Sequence, residues 1–242
     1  MDFTIVTASY NYGSFIAECL ESVRDQRGVT LEHLVMDAGS KDQTAKTVAQ
    51  FPHASFYQEP DKGMTDGINK GFGRAKGKWV MWLNADDRLK PGALLKIKAF
   101  GQKHPGADVI YGGWDYIDGS GSFLRRMAAL PFDLGILVQQ GCYIGSTSCF
   151  FRHATTLAAG FFLDDRFGYC MDGEYYTRLA HAGNASYPYL KLWPTSAYTT
   201  RVSARKALEK QTWQTSSGCS GNWPNPERSA ASMASSPSKM KT

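Results

Sequence analysis

Five consecutive apolar residues, Trp79-Val80-Met81-Trp82-Leu83, run directly into Asn84-Ala85-Asp86-Asp87. Alternate residues of a strand face opposite sides, so a strand that is apolar at every position needs cover on both faces. The run is too short for a free-standing helix. It reads as the central strand of a sheet with helices on both sides, ending in an abrupt polar turn.

The residues around it supply such a sheet. Thr4-Ile5-Val6-Thr7, Leu34-Val35-Met36, Phe56-Tyr57 and Val109-Ile110-Tyr111 are short strand-like runs. Helical periodicity fills the gaps: Phe15, Ile16, Cys19, Leu20 and Val23 share one face, and Met64, Ile68 and Phe72 share another between Met64 and Ala75. Ser40-Lys41-Asp42-Gln43 reads as a capping box opening a helix through Ala49. Pro91 reads as the first residue of a helix carrying Leu94, Leu95, Ile97 and Phe100. Strand–helix alternation with right-handed crossovers predicts an α/β fold with a mostly parallel central sheet and flanking helices. The second half is less regular. A hairpin turns at Asp118-Gly119-Ser120-Gly121, Cys149-Phe150-Phe151 is a strand, and a helix runs from Asp172 to Ala182 with Gly183 as its stop. From Thr215 to Thr242, Ser, Pro, Gly and Asn predict a disordered tail.

Composition narrows the function classes. The chain has 242 residues, 43% hydrophobic and 20% charged, enough for one large domain with an appendage. A net charge of +5 suits small anionic partners, and with no Lys/Arg run it argues against nucleic acid. Phe3-Thr4-Ile5-Val6 enters a strand at once, with no signal-peptide pattern, and no apolar run reaches membrane-spanning length. The expected location is cytoplasmic, with any membrane contact peripheral, at the inner face. Cys19, Cys142, Cys149, Cys170 and Cys219 are odd in number and show no C-x-x-C spacing, which fits reduced thiols. The five histidines show no metal-ligand spacing. No P-loop, Rossmann glycine fingerprint or G-x-S-x-G elbow is present.

Ligands of open parallel sheets bind beyond the carboxyl ends of the strands. Ser9-Tyr10-Asn11, Asp37 and Asn84-Ala85-Asp86-Asp87 all fall at such ends, so three polar clusters distant in sequence should meet at one edge. Carboxylates and an amide are hard oxygen ligands that suit Mg²⁺ or Mn²⁺ with positions open for phosphate oxygens. The competing reading of Asp86-Asp87 is a polar turn capping the helix that starts at Pro91. In Glu59 to Gly71, dense in charge and glycine, Asp66 and Asn69 share a helix face; the competing reading is a solvated helix start. Asp172 opens a helix, as a cap or as a general base, and spacing alone leaves both open.

Four blocks in order resemble family 2 of the inverting glycosyltransferases, which have the GT-A fold. Ile5-Val6-Thr7-Ala8-Ser9-Tyr10-Asn11 is similar to the family's opening strand. Val35 to Thr44, with Asp37-Ala38-Gly39-Ser40-Lys41-Asp42, is similar to its second block, and Gly77-Lys78-Trp79 to Asp87 to its D-x-D-type block. Met171-Asp172-Gly173-Glu174 to Leu179 is similar to its late acidic block. Glu59 to Gly71 resembles a segment of bacterial polysaccharide enzymes. The resemblance covers about residues 3 to 203. It implies one GT-A domain over 1–214, with a nucleotide-binding half over 1–112 and an acceptor half over 113–214. It implies that Ser9, Tyr10, Asp37, Asp66 and Asn84 bind the nucleotide, that Asp86 holds Mg²⁺ or Mn²⁺ on the diphosphate, and that Asp172 is the catalytic base. Implied partners are a UDP- or GDP-sugar donor and a glycan or lipid-linked hydroxyl acceptor. Departures are Ala8 for Pro, Asn84 for Asp, Ile68 for Arg, Met171 for Glu, and no late His near Arg201-Val202-Ser203. Two other readings stay open: a sugar nucleotidyltransferase, although Ser9 to Gly13 lacks that class's basic loop, and a noncatalytic nucleotide- or glycan-binding protein. Arg201, Arg205, Lys206 and Lys210, near Leu208 and Trp213, form a basic stretch suited to an anionic membrane surface.

Overall fold

The computed structural model describes residues 1–158, 160, 162–185 and 192–203. Nine strands are described: β1 (Phe3–Ser9), β2 (Leu31–Asp37), β3 (Ala54–Gln58), β4 (Trp79–Trp82), β5 (Arg88–Leu89), β6 (Val109–Ile117), β7 (Phe123–Met127), β8 (Cys149–Arg152) and β9 (Leu192–Ser203). Six helices accompany them: α1 (Ile16–Arg24), α2 (Thr44–Val48), α3 (Met64–Arg74), α4 (Ala93–Lys103), α5 (Leu134–Gln139) and α6 (Met171–Ala185).

The sheet order is β3-β2-β1-β4-β8-β6-β9-β5, with β7 on β6. β3, β2, β1 and β4 pair in parallel. β8 runs antiparallel to β4 and to β6, and β9 lies parallel to β6. Most strands therefore point one way, as the βαβ pattern requires, with β5, β7 and β8 reversed.

β4 sits inside the sheet and is buried along its whole length. Trp79, Met81 and Leu83 join Phe3, Ile5, Leu94 and Ile97 on one face. Val80 and Trp82 join Val6, Phe72, Phe151 and Tyr175 on the other. Trp82 stacks on Phe151 with centroids 5.5 Å apart and planes 3° from parallel. Full burial of one large apolar side chain contributes roughly 1.5–3 kcal/mol, so a strand that hides every residue anchors both layers. Close approach of α3 to β1 depends on Gly71, where a Cβ would lie 2.3 Å from Val6 Cγ1.

Several local expectations differ from the structure. Ser40 does not open a capping box. Its hydroxyl binds Asp37, and Asp42 takes over the helix start, its Oδ1 accepting from the Thr44 amide at 2.9 Å. Pro91 precedes α4 rather than beginning it; Gly92, at φ 71°, takes the position before Ala93 that favours glycine. Gly183 does not stop α6, which continues to Ala185. Phe15 and Met64 are 37% and 45% exposed because each precedes or starts its helix, before the buried stripe begins. The predicted tail from Thr215 and most of the basic stretch near Leu208 lie outside the described residues.

Candidate active site

β1 and β2 end side by side. Their register pairs Ser9 with Asp37, and the Ala38 amide donates to the Ser9 carbonyl at 3.0 Å. Asp37 is 1% exposed. Its Oδ2 accepts from the Gly39 amide at 3.1 Å, the Ser40 amide at 2.8 Å and Gln58 Nε2 at 3.0 Å, and the Ser40 hydroxyl donates to Oδ1. Asp37 thus holds the turn after β2 and ties it to β3. Ser9 is buried, yet its Oγ has no partner among the described residues. An unmet buried hydroxyl is unfavourable, and this one lies at the carboxyl edge of the sheet, where the ligands of such folds bind. Tyr10 is more than half exposed and offers an aromatic face.

Side chains lace the loops after β1 and β2 together. The Asn11 amide donates to Ser40 Oγ at 2.8 Å, and Asn11 Oδ1 accepts from the Lys41 amide at 2.9 Å. The Tyr12 amide donates to Thr44 Oγ1 at 3.1 Å and the Gly13 amide to Asp42 Oδ2 at 2.8 Å. Asn11 adopts a left-handed φ of 58°, a conformation that Asn tolerates better than most residues. The sequence presented these polar residues as turn formers. The pairing of one loop with the other becomes visible only once β1 and β2 are adjacent.

The third cluster continues β4. The Leu83 amide donates to the Val6 carbonyl at 2.9 Å, and the Asp87 amide closes a turn onto the Asn84 carbonyl at 2.9 Å. Asn84 Nδ2 donates to Asp87 Oδ2 at 2.7 Å, and Asp87 is fully buried. Asp87 is therefore not a cap for α4: its carboxylate is turned inward on the turn itself. Asp86 between them is half-buried. Among the described residues, no three His, Cys, Asp or Glu side chains form a ligand cluster. A cation here would be held by Asp86 together with diphosphate oxygens. That donor set fits Mg²⁺ or Mn²⁺, which bind through one or two carboxylates plus substrate phosphates.

α3 and α6 complete the edge. A Cβ on Gly67 would lie 3.4 Å from Ala8 Cβ, so α3 begins against the end of β1. Thr65 Oγ1 donates to Met171 Sδ at 2.9 Å, joining the start of α3 to the start of α6. Asn69 reinforces that junction by donating to the Leu163 carbonyl at 2.8 Å and accepting from its amide at 3.0 Å. Asp172, next in sequence to Met171, is half-buried and accepts from the Gly173 amide at 2.8 Å. Burial, aided by the Asp172 charge, pushes the Cys149 thiol and the Tyr176 phenol up. Cys149 begins β8, the antiparallel neighbour of β4, and the Tyr175 ring of α6 lies 6.5 Å from the Trp82 ring at the end of β4, so the start of α6 lies at the same edge as Asn84 to Asp87. Behind it, Glu174 and Arg178 pair at 2.7 Å, and Arg178 Nη2 donates to the Phe162 carbonyl at 2.7 Å.

Asp66 is engaged differently from the others. Its carboxylate accepts from the Lys62 amide at 3.0 Å and pairs with Lys70 at 2.9 Å. The Lys70 contact, then the Lys62 amide, hold its carboxyl below the usual range. These contacts organise the first turn of α3. Gln58 and Thr65 carried no signal in the sequence, and Asn69 was singled out only for sharing a helix face with Asp66, because each acts on a residue far along the chain.

The family model described as Glycosyl transferase family 2 matches residues 4–158, well over half of the chain. The chain belongs to glycosyl transferase family 2. It is 30% identical over 116 residues to a PGL/p-HBAD biosynthesis glycosyltransferase of Mycobacterium bovis, covering 46% of this chain and 45% of that protein. It is 32% identical over 138 residues to the succinoglycan biosynthesis protein ExoO of Rhizobium meliloti, covering 54% of this chain and 39% of that protein. The matches thus span less than half the length of either relative. S. aureus TarS 1–349, solved in complex with UDP, superposes with a TM-score of 0.65 at 22% identity, covering 86% of this chain and 63% of that one. The mannosyltransferase PcManGT from Pyrobaculum calidifontis, solved with GDP-Man and Mn²⁺, gives 0.60 at 16% identity, covering 83% and 56%. At these identities the likeness shows the fold, and it is the GT-A architecture expected from the four blocks.

Proposed function

We propose that this family 2 chain transfers a sugar from a nucleoside diphosphate sugar to a hydroxyl of a glycan or lipid-linked acceptor, with inversion at the anomeric carbon. One observation carries this reading: the ends of β1, β2 and β4 and the start of α6 bring Ser9, Asp37, Asn84 to Asp87 and Asp172 to one sheet edge. The UDP bound by TarS and the GDP-Man bound by PcManGT make a UDP- or GDP-sugar the donor class to test first.

In this reading Ser9 Oγ, Tyr10 and Asn84 contact the nucleoside. Asp37 contacts the base through Oδ1, which among the described residues accepts only from the Ser40 hydroxyl, while its Oδ2 holds the turn through Gly39, Ser40 and Gln58. Asp66 likewise shapes the start of α3. Asp86 would hold Mg²⁺ or Mn²⁺, which supplies charge neutralisation for the departing diphosphate. Asp172 takes the proton from the acceptor hydroxyl as its oxygen attacks. The transition state has oxocarbenium character, by analogy with glycoside hydrolysis. No protein nucleophile is required.

Among the described residues, no helix is long and apolar enough to cross a membrane. The test is a thermal-shift panel of UDP- and GDP-sugars with and without Mn²⁺, followed by turnover with the donor that binds. Asp86→Asn should abolish the Mn²⁺-dependent part of the shift. Asp172→Asn should preserve donor binding and remove turnover; full turnover by Asp172→Asn would remove the base assignment. Release of pyrophosphate in place of nucleoside diphosphate would favour a nucleotidyltransferase.

A further inference from the structure

The hairpin formed by β6 and β7 has a surface that the transfer reading does not use. β7 carries Phe123-Leu124-Arg125-Arg126-Met127, and Phe123 and Leu124 are 57% and 53% exposed. Neighbouring strand residues normally face opposite sides. Here the register slips: Tyr116 pairs with Arg125 and Ile117 with Phe123, so Leu124 is the extra residue of a bulge. A bulge re-aims its side chain and increases the local twist.

The cations in and beside the hairpin differ in what they neutralise. Arg126 and Lys90 are both committed to the buried Asp115. Arg125 is in none of the ion pairs among the described residues. Its guanidinium lies 4.6 Å from the Tyr116 ring centroid. An aromatic face holds a cation in place without cancelling its charge. The strand itself contains no acid. Two exposed large apolar side chains beside an uncancelled arginine make an amphipathic tip that suits apolar chains under phosphate headgroups.

A second strand is the other occupant such an edge suggests, and the same residues oppose it. Bulges and edge cations are devices by which sheets avoid edge-to-edge pairing. Antiparallel self-pairing centred on Arg125 would set like charges directly opposite each other, which is destabilising.

We infer that the β6–β7 hairpin docks the protein on an anionic phospholipid surface, with Phe123 and Leu124 in the headgroup layer and Arg125 on lipid phosphate. This inference is independent of the transfer chemistry. It rests on the residues of β7 and makes no use of the basic stretch of Arg201, Arg205, Lys206 and Lys210.

The test is co-sedimentation of the full chain with phosphatidylcholine vesicles containing 30% phosphatidylglycerol, against pure phosphatidylcholine, at low salt and in 0.5 M NaCl. Binding should require the anionic lipid and fall at high salt. Phe123→Ser/Leu124→Ser should weaken it at least tenfold, and Arg125→Gln about fivefold. Three outcomes would overturn the inference. One is no binding to the anionic vesicles at low salt. Another is binding that Phe123→Ser/Leu124→Ser leaves within twofold of the parent chain. The third is a sedimenting dimer that the same double substitution dissociates, which would assign the surface to a second copy. If the double variant fails to fold, hydrogen exchange of the unaltered chain decides: vesicles must slow exchange at residues 123–126, and unchanged exchange there refutes the docking.

Discussion

His33 makes stability depend on pH in a way that can be worked out from its surroundings. The ring is fully buried on β2, with Nε2 2.9 Å from Thr7 Oγ1 and the His53 ring 5.9 Å away. Burial first, and the His53 charge second, lower its folded pKa from 6.5 to about 3. The unfolded chain therefore binds one more proton than the folded chain between about pH 3 and 6.5. Stability is full above pH 6.5 and is lost as pH falls, at up to 1.36 kcal/mol per pH unit. Lowering pH from 6.5 to 5 should cost about 2 kcal/mol, a large share of the 5–15 kcal/mol that holds an ordinary domain together. His53 is also shifted down, chiefly by burial, and adds in the same direction. Carboxyls with lowered values, such as Asp115 beside Arg126 and Lys90, lose their contribution only in more acid solution, so work above pH 5 isolates the imidazoles. The assay is urea unfolding from pH 5 to 8 for the parent chain and for His33→Gln, whose amide can still meet Thr7 Oγ1. The difference in stability between the two should change by roughly 1 kcal/mol per pH unit between pH 5 and 6 and be flat above pH 7. Parallel curves across the whole range, or a folded-state imidazole titrating near 6.5 at His33, would refute the reasoning.

Three further outcomes follow from geometry. Asn84→Asp sets a second carboxylate against the buried Asp87 where an amide now donates; melting in EDTA should show a loss on the order of 2 kcal/mol, and Mn²⁺ should restore more than it adds to the parent chain. Glu174→Ala leaves the largely buried Arg178 without its partner and should cost about 3 kcal/mol by urea unfolding, whereas Asp25→Ala, from the exposed Arg24 pair, should leave the unfolding midpoint unchanged. Gly71→Ala gains helix propensity but drives a methyl to 2.3 Å from Val6 Cγ1, and equilibrium unfolding should show a net loss of about 1–3 kcal/mol.

The succession of strands and helices in the first half, and the interior place of Trp79 to Leu83, were legible because period and burial coincide: such a run has no stable place other than inside a sheet. Ser9, Asp37 and Asn84 to Asp87 were legible for the same reason, since topology alone sends the ends of parallel strands to one edge. What sequence could not carry was the partner of each polar atom. Ser40 matched a capping box and is bound to Asp37 instead, because the turn after β2 offers that carboxylate at closer range than the helix start. Asp87 looked like a cap because Pro91-Gly92 follows it, yet Asn84 draws it inward. The junction of Thr65 with Met171 joins residues more than a hundred positions apart, and no local pattern announces it.

The lacing of the first two loops has a consequence for how the site responds to a nucleotide. The amides of Asn11, Tyr12, Gly13 and Lys41 all donate to side chains of the opposite loop. Loop amides usually exchange with solvent through small local openings. Here neither loop can open without releasing the other, so these four amides should exchange slowly and at similar rates, as one unit with β1 and β2. Nucleotide would then meet a floor already ordered before it arrives, and little conformational entropy would be left to lose there on binding.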